Sequence, residues 1–158
     1  MKKFELTSEF ITNIFGTKLF RIKALIEFGN VKAGELGGFV EKEENLSQDG
    51  NAWVYDNARV YGNARVYGDA CVCGDARVCG DACVYGDAGY ATVHGFGSEY
   101  RTTTFFKTKA GVGVKCGCFY GNLSEFRKKV VETHGETKKA KEYLMLADLM
   151  EFRFSDNS

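Results

Sequence analysis

From Asn51 onward the chain repeats a six-residue pattern of Asn or Asp, Ala, a variable residue, Val, a second variable residue, and Gly. The units read Asn51-Ala-Trp-Val-Tyr-Asp, Asn57-Ala-Arg-Val-Tyr-Gly, Asn63-Ala-Arg-Val-Tyr-Gly, Asp69-Ala-Cys-Val-Cys-Gly, Asp75-Ala-Arg-Val-Cys-Gly and Asp81-Ala-Cys-Val-Tyr-Gly. A seventh begins at Asp87-Ala88 and degrades through Gly89, Tyr90 and Ala91. Successive side chains of a strand face opposite ways, so Ala52 and Val54 share one side while Trp53 and Tyr55 share the other. Small Ala with β-branched Val suits a narrow interior, and Gly followed by Asn or Asp supplies a corner with positive φ. A fixed period of this kind is the signature of a β-solenoid. Three hexapeptides closing one triangular turn stack residues 18 apart, setting Val54 on Val72, Val60 on Val78 and Val66 on Val84. The prediction is a mainly β protein built on a parallel β-helix.

Two irregular ends flank the repeat. Lys18 to Ile26 reads as a strand, and a Gly-rich stretch, Val31 to Val40, follows it. In the six-residue register Val40 and Leu46 fall in the Ala52 column, so an irregular first turn is expected from near Gly38. Residues 1–37 then cap the open bottom and shield strand edges. After Gly95, Arg101–Lys107 and Val112–Phe119 read as two strands joined at Lys109-Ala-Gly111. Asn122 is an N-cap with Glu125 as its capping-box partner, opening a helix with an apolar stripe at Leu123, Phe126 and Val130. That helix stops at Gly135. A second, about Thr137 to Met150, buries Ala140, Tyr143, Leu144 and Ala147, and Phe152-Arg-Phe154 reads as a last short strand. The expected organisation is an N-terminal cap and irregular first turn over residues 1–45, the repeat β-helix over 46–97, and a C-terminal ββαα appendage over 98–158.

Charge narrows the function classes. The chain carries 21 basic and 21 acidic side chains, which argues against a globally basic nucleic-acid binder and a polybasic membrane binder. Nothing reads as a signal peptide or as the roughly 18 apolar residues of a membrane span, so a cytoplasmic protein is expected. Of the six cysteines, Cys71, Cys73, Cys79 and Cys83 occupy variable slots and read as surface variants. Stacking sets them over Trp53, Tyr55, Tyr61 and Arg65, never over one another. Free thiols in a reducing compartment follow. The outward column Trp53, Tyr55, Tyr61, Tyr67 and Tyr85 reads as an exposed aromatic surface, either a subunit contact or a ligand face.

Candidate chemistry gathers after the repeat. Between Arg101 and Lys141 there are ten Lys or Arg against three acids. Arg101, beside the hydroxyls of Thr102, Thr103 and Thr104, is the first candidate phosphate ligand, with N–H groups near Gly95 and Gly97 and the further cation Lys115. Phe105 and Phe106 are candidate rings for stacking a base. His134 continues the stripe of its helix and should face the hairpin, where Cys116 and Cys118 share a strand face. Those three residues allow a zinc site, a Cys–His nucleophilic pair, or simple core packing. The alternative ligand site is a cleft between subunits, where Tyr55, Tyr61, Arg59 and Arg77 are the candidates. No cofactor is expected.

The stretch Phe20-Arg-Ile-Lys-Ala-Leu, Gly29-Asn-Val-Lys-Ala-Gly-Glu-Leu-Gly-Gly-Phe, Asn45-Leu-Ser-Gln and the repeats that follow resembles hexapeptide-repeat proteins common in phages and prophages. The tail, with Thr102-Thr-Thr-Phe-Phe and Cys116-Gly-Cys-Phe, is similar to a C-terminal module found on some of them. The resemblance implies a left-handed parallel β-helix, an exception to the usual hand of parallel connections. It also implies a homotrimer and a cytoplasmic protein of a mobile element that acts by binding. Hexapeptide β-helices are best known as acyltransferases, which use a histidine base with an acyl donor between subunits. The repeats here contain no histidine; His94 and His134 lie beyond them. The expectation is therefore a non-enzymatic protein that captures a small phosphorylated, nucleotide-like host ligand or blocks a host defence protein. A hexapeptide-repeat acyltransferase and a structural phage component are the alternatives. Neither a membrane nor a specific nucleic-acid sequence is an expected partner.

Overall fold

The hexapeptide alternation builds a parallel β-solenoid. The structure, a computed structural model, describes residues 2–13, 15–86, 89–95, 102–117 and 119–155. Six two-residue strands carry the repeat: β4 (Trp53–Val54), β5 (Arg59–Val60), β6 (Arg65–Val66), β7 (Cys71–Val72), β8 (Arg77–Val78) and β9 (Cys83–Val84), numbered after the three N-terminal strands below. They pair in parallel 18 residues apart, β4 with β7, β5 with β8 and β6 with β9. Every Ala and Val of the six inward pairs is at most 1% exposed. Burying each valine contributes roughly 1.5–3 kcal/mol. The corners are tight. Gly50 has φ +72°, and a Cβ added there would come 2.7 Å from the carbonyl oxygen of Gly68. Asp56, with φ 55°, takes one such corner without a glycine.

Strands β1 (Phe4–Thr12), β2 (Lys18–Ala24) and β3 (Leu36–Val40) form an antiparallel unit, and β3 runs parallel beneath β5. Here the expected register is corrected. Val40 pairs with Val60 and Leu46 bridges Val66, which puts both in the valine column instead of the Ala52 column. The corner between Leu46 and Val54 is two residues longer than a regular hexapeptide, and this shifts the first turn. The outward aromatic column is corrected too. Trp53 is fully buried, because Phe4 and Phe28 pack edge-on against its indole at centroid distances of 6.2 and 5.2 Å. Cys79, read as a surface variant, is buried as well. Tyr67 and Tyr85 do remain exposed, in a T-shaped pair 5.0 Å apart.

The C-terminal module has four strands where two are expected. β10 (Tyr90–Val93), β11 (Thr103–Thr108), β12 (Gly111–Cys116) and β13 (Phe119–Asn122) make an antiparallel sheet in that order. The helices α1 (Leu123–His134) and α2 (Lys138–Arg153) cover one face. Asn122 and Glu125 form the expected capping box. Phe152 belongs to α2 and not to a last strand, and Leu146 and Met150 are buried where Leu144 is only half-buried. Alternation along β11 sends Phe105 to the helical core and Phe106 to the solenoid core.

The two ends of the solenoid are closed by side chains that hydrogen-bond its open backbone groups. Each rung donates N–H upward, as Trp53 does to the Ala70 carbonyl. An end rung leaves both carbonyls and N–H groups without a strand partner, and at the top the Tyr90 hydroxyl also donates to the Cys71 carbonyl at 2.7 Å. At the bottom Lys3 Nζ donates to Gly50 and Ala52, and Asn45 Nδ2 donates to Gly62 and Ala64. At the top the hydroxyls of Tyr90, Thr104 and Tyr120 accept from the N–H groups of Cys73, Arg77 and Asp81. Those contacts dock the C-terminal sheet on the solenoid, which is what positions the site described next.

Candidate functional site

Arg59 and Arg77 occupy the same outward slot on successive rungs and pair directly in the β5–β8 register. Like charges stacked this way repel, and partial burial removes water from them. The Arg59 guanidinium is accordingly shifted down, first by burial and then by Arg77. Strand β12 swings above this face and brings Lys115, only 5% exposed, to the same place. The β1–β2 turn closes the third side with Thr12, Asn13 and Phe15, and Tyr61 contributes a phenol. The result is a recess of about 120 Å³. Three cations line it, and none of its described lining residues is a carboxylate. Burial and its contact with Cys79 push the Tyr61 phenol up, so the phenol keeps its proton. Burial also pushes the Cys79 thiol up, against the pull of Tyr61, Lys115 and Arg77. Donors and positive charge thus converge, and Asp75, which acts on Arg59 from nearby, does not line the recess. The arrangement suits a phosphate or carboxylate.

Four of the residues singled out from the sequence are brought together here: Arg59, Tyr61, Arg77 and Lys115. Tyr55 is not among them. It lies on the β4–β7 face next to Cys71, its phenol pushed up by burial first and Cys71 second. Arg101 lies outside the described residues. The three threonines beside it do not converge. Thr102 Oγ1 sits 2.9 Å from His94 Nδ1, Thr103 donates to Cys116 Sγ at 3.2 Å, and Thr104 accepts from the N–H of Arg77 at 3.0 Å. Thr103 and Thr104 are buried on opposite faces of β11, their hydroxyls committed to those bonds. Phe105 and Phe106 are fully buried, so neither is free to stack a base. His134 is half-buried, its ring stacked on Tyr143 at 5.8 Å, and Cys116 Sγ reaches the Tyr143 hydroxyl at 3.9 Å. Tyr143 thus stands between the two side chains. Cys118 lies outside the described residues, and among the described residues no three His, Cys, Asp or Glu side chains are grouped to hold a metal. Cys73, Cys79, Cys83 and Cys116 carry unbridged thiols.

A larger open groove of about 1100 Å³ runs between the β6–β9 face and the tip of the β11–β12 hairpin. Cations Lys42, Arg65 and Lys109 are balanced there by acids Glu44, Asp81 and Glu125. Neither histidine of the chain lines the groove or the recess. The sequence reading missed the contribution of Phe15, Thr12 and Asn13. Asn13 and Gly16 do mark a turn in the sequence, but nothing local says that this turn meets β12.

Residues 52–68 and 58–74 match a family model described as the YdcK Beta solenoid repeat. Over 63 residues the chain is 40% identical to a protein of Escherichia coli (strain K12) named "Uncharacterized acetyltransferase YdcK", an alignment covering 35% of this chain and 19% of that relative. The chain therefore spans about a fifth of the length of that relative, and the family-model match lies wholly within the hexapeptide repeats. The repeat region is a β-solenoid of the hexapeptide kind.

Proposed function

We propose that this is a non-enzymatic binding protein that captures a small phosphorylated ligand, its anion held by Arg59, Arg77 and Lys115. One observation carries the reading: three cations converge on one recess whose described lining offers no carboxylate. Stacked, partly desolvated arginines cost stability unless an anion answers them, and functional sites are where such costs concentrate. An arginine contributes a paired, directional contact to a phosphate, and a charged hydrogen bond is worth about 1.5–3 kcal/mol. The repeat hexapeptides add a left-handed coil, a homotrimeric assembly and a cytoplasmic, mobile-element origin to this proposal, all drawn from the resemblance of the sequence. In that setting the ligand is a host signal, or the same basic face meets a host defence protein.

Titration calorimetry of the purified protein with inorganic phosphate and pyrophosphate tests it. Arg59→Ala and Arg77→Ala should each weaken binding roughly 10- to 150-fold. Absence of measurable heat at millimolar ligand would sink the anion site. Acyl transfer is the second reading, favoured by the acetyltransferase name of the E. coli relative. It needs a base beside the acceptor, and both histidines stand outside the recess and the groove. Turnover of an acyl-CoA, abolished by His94→Ala or His134→Ala, would decide for it.

A further inference from the structure

We infer that the captured ligand is a nucleotide, its phosphate in the basic recess and its base stacked on Phe15. The inference rests on the anion reading above and adds what the rest of the ligand is. A recess of about 120 Å³ holds a phosphate group, whereas pockets that enclose a whole small ligand run to roughly 300–1,000 Å³. The remainder of the ligand must lie at the rim, and the rim carries an exposed aromatic ring. Phe15 is 72% exposed, far more than a side chain of that size needs to be on a surface with neighbours to pack against. Nor does the ring stand on a loose loop. Asn13 Oδ1 accepts from the N–H groups of both Phe15 and Thr17 at 2.9 Å, and the backbone closes with Asn13 to Thr17 and Gly16 to Asn13 bonds of 3.0 Å. Gly16, at φ +82°, completes the turn. The turn backbone that carries this exposed ring is thus fixed by hydrogen bonds.

Its placement selects the ligand class. Lys115 Nζ lies 5.9 Å from the Phe15 ring centroid, so a group bound to the ammonium and a group lying on the ring are neighbours. The ring closes one side of the recess at its rim, so a phosphate held by the cations and a flat ring lying on Phe15 can belong to one ligand. Tyr61, the other aromatic residue of the lining, has its phenol turned to Cys79, and Phe105 and Phe106, outside the lining, are fully buried. Phe15 is therefore the exposed ring of the lining, with Lys115 over one face and the rest open to solvent. Stacking of this kind tolerates any base, because every base has a π-face.

Calorimetry on the full chain distinguishes the parts, using the four nucleoside 5′-monophosphates, ribose 5-phosphate and inorganic phosphate as probes. The nucleotides should bind roughly 5- to 150-fold more tightly than ribose 5-phosphate. Phe15→Ala should bring them down to the ribose 5-phosphate level while leaving ribose 5-phosphate and phosphate unchanged, and Phe15→Trp should retain nucleotide binding. Ribose 5-phosphate binding as tightly as the nucleotides would overturn the ring platform and leave the anion site standing. So would an equal loss for every probe in Phe15→Ala, since that is a structural effect. Failure of all the phosphates to bind would remove the anion site, and this inference with it.

Discussion

Lys3 shows how one side chain can serve the fold at a cost. Its ammonium is almost wholly buried, donates to two bottom-edge carbonyls and lies 4.6 Å from the Phe28 ring centroid. Burial pulls its pKa down from 10.5 to about 8, with Asp49 pulling the other way. Between those values the unfolded chain keeps a proton that the folded chain has released. Lys3 therefore makes stability rise with pH across that window, a contribution lost as pH falls through about 8. Cys79 and Tyr61, pushed up by burial, act in the opposite sense, stabilising at neutral pH and less so in alkali. Comparing wild type with Lys3→Met isolates the lysine. The difference in unfolding free energy should climb from pH 8 to 10, and a flat difference in denaturant titrations would contradict the burial argument. At an interior position, Val72→Ala should cost about 2 kcal/mol, from roughly 0.8 kcal/mol per lost methyl plus the cavity left behind. The outward change Arg65→Ala should stay within about 0.5 kcal/mol, read from the same titrations.

At the scale of the element, what could be read from the sequence follows how local the cause is. The Ala–Val alternation fixes which side chains face inward whatever lies outside, and so the 18-residue stacking was readable. The capping box at Asn122 and Glu125 is local in the same way. Trp53 was misread because its outward slot says nothing about Phe4 and Phe28, about 49 and 25 residues earlier, folding over it. β10 and β13 were missed because short strands take their identity from the partner they pair with. The recess has the same character. Arg59, Tyr61, Arg77 and Lys115 were each noticed, but the first three lie in the repeat as expected and their meeting with Lys115 and Phe15 depends on where two hairpins dock. The edge elements can be tested alone. Asn45→Ala deprives the carbonyls of Gly62 and Ala64 of their donor and should cost about 1–3 kcal/mol. A loss no larger than that of an exposed alanine substitution would show that water replaces the amide.

For the whole molecule, a two-turn solenoid with the exposed Tyr67–Tyr85 pair on one flank leads to the expectation of a trimer. Light scattering at micromolar concentration should return three times the 17.5 kDa chain mass, and a monomeric value would refute it. The closed state of the two ends has a separate consequence for growth along the axis. A parallel solenoid whose end rungs show open carbonyls and N–H groups is complementary to itself, and copies would add one above another as bricks in a column. Lys3 and Asn45 at one end, and Tyr90, Thr104 and Tyr120 at the other, occupy the groups through which such a column would lengthen. The terminal modules therefore act as polymerisation stops, and a chain trimmed to its hexapeptides alone should elongate into fibres where the intact protein stays a discrete particle.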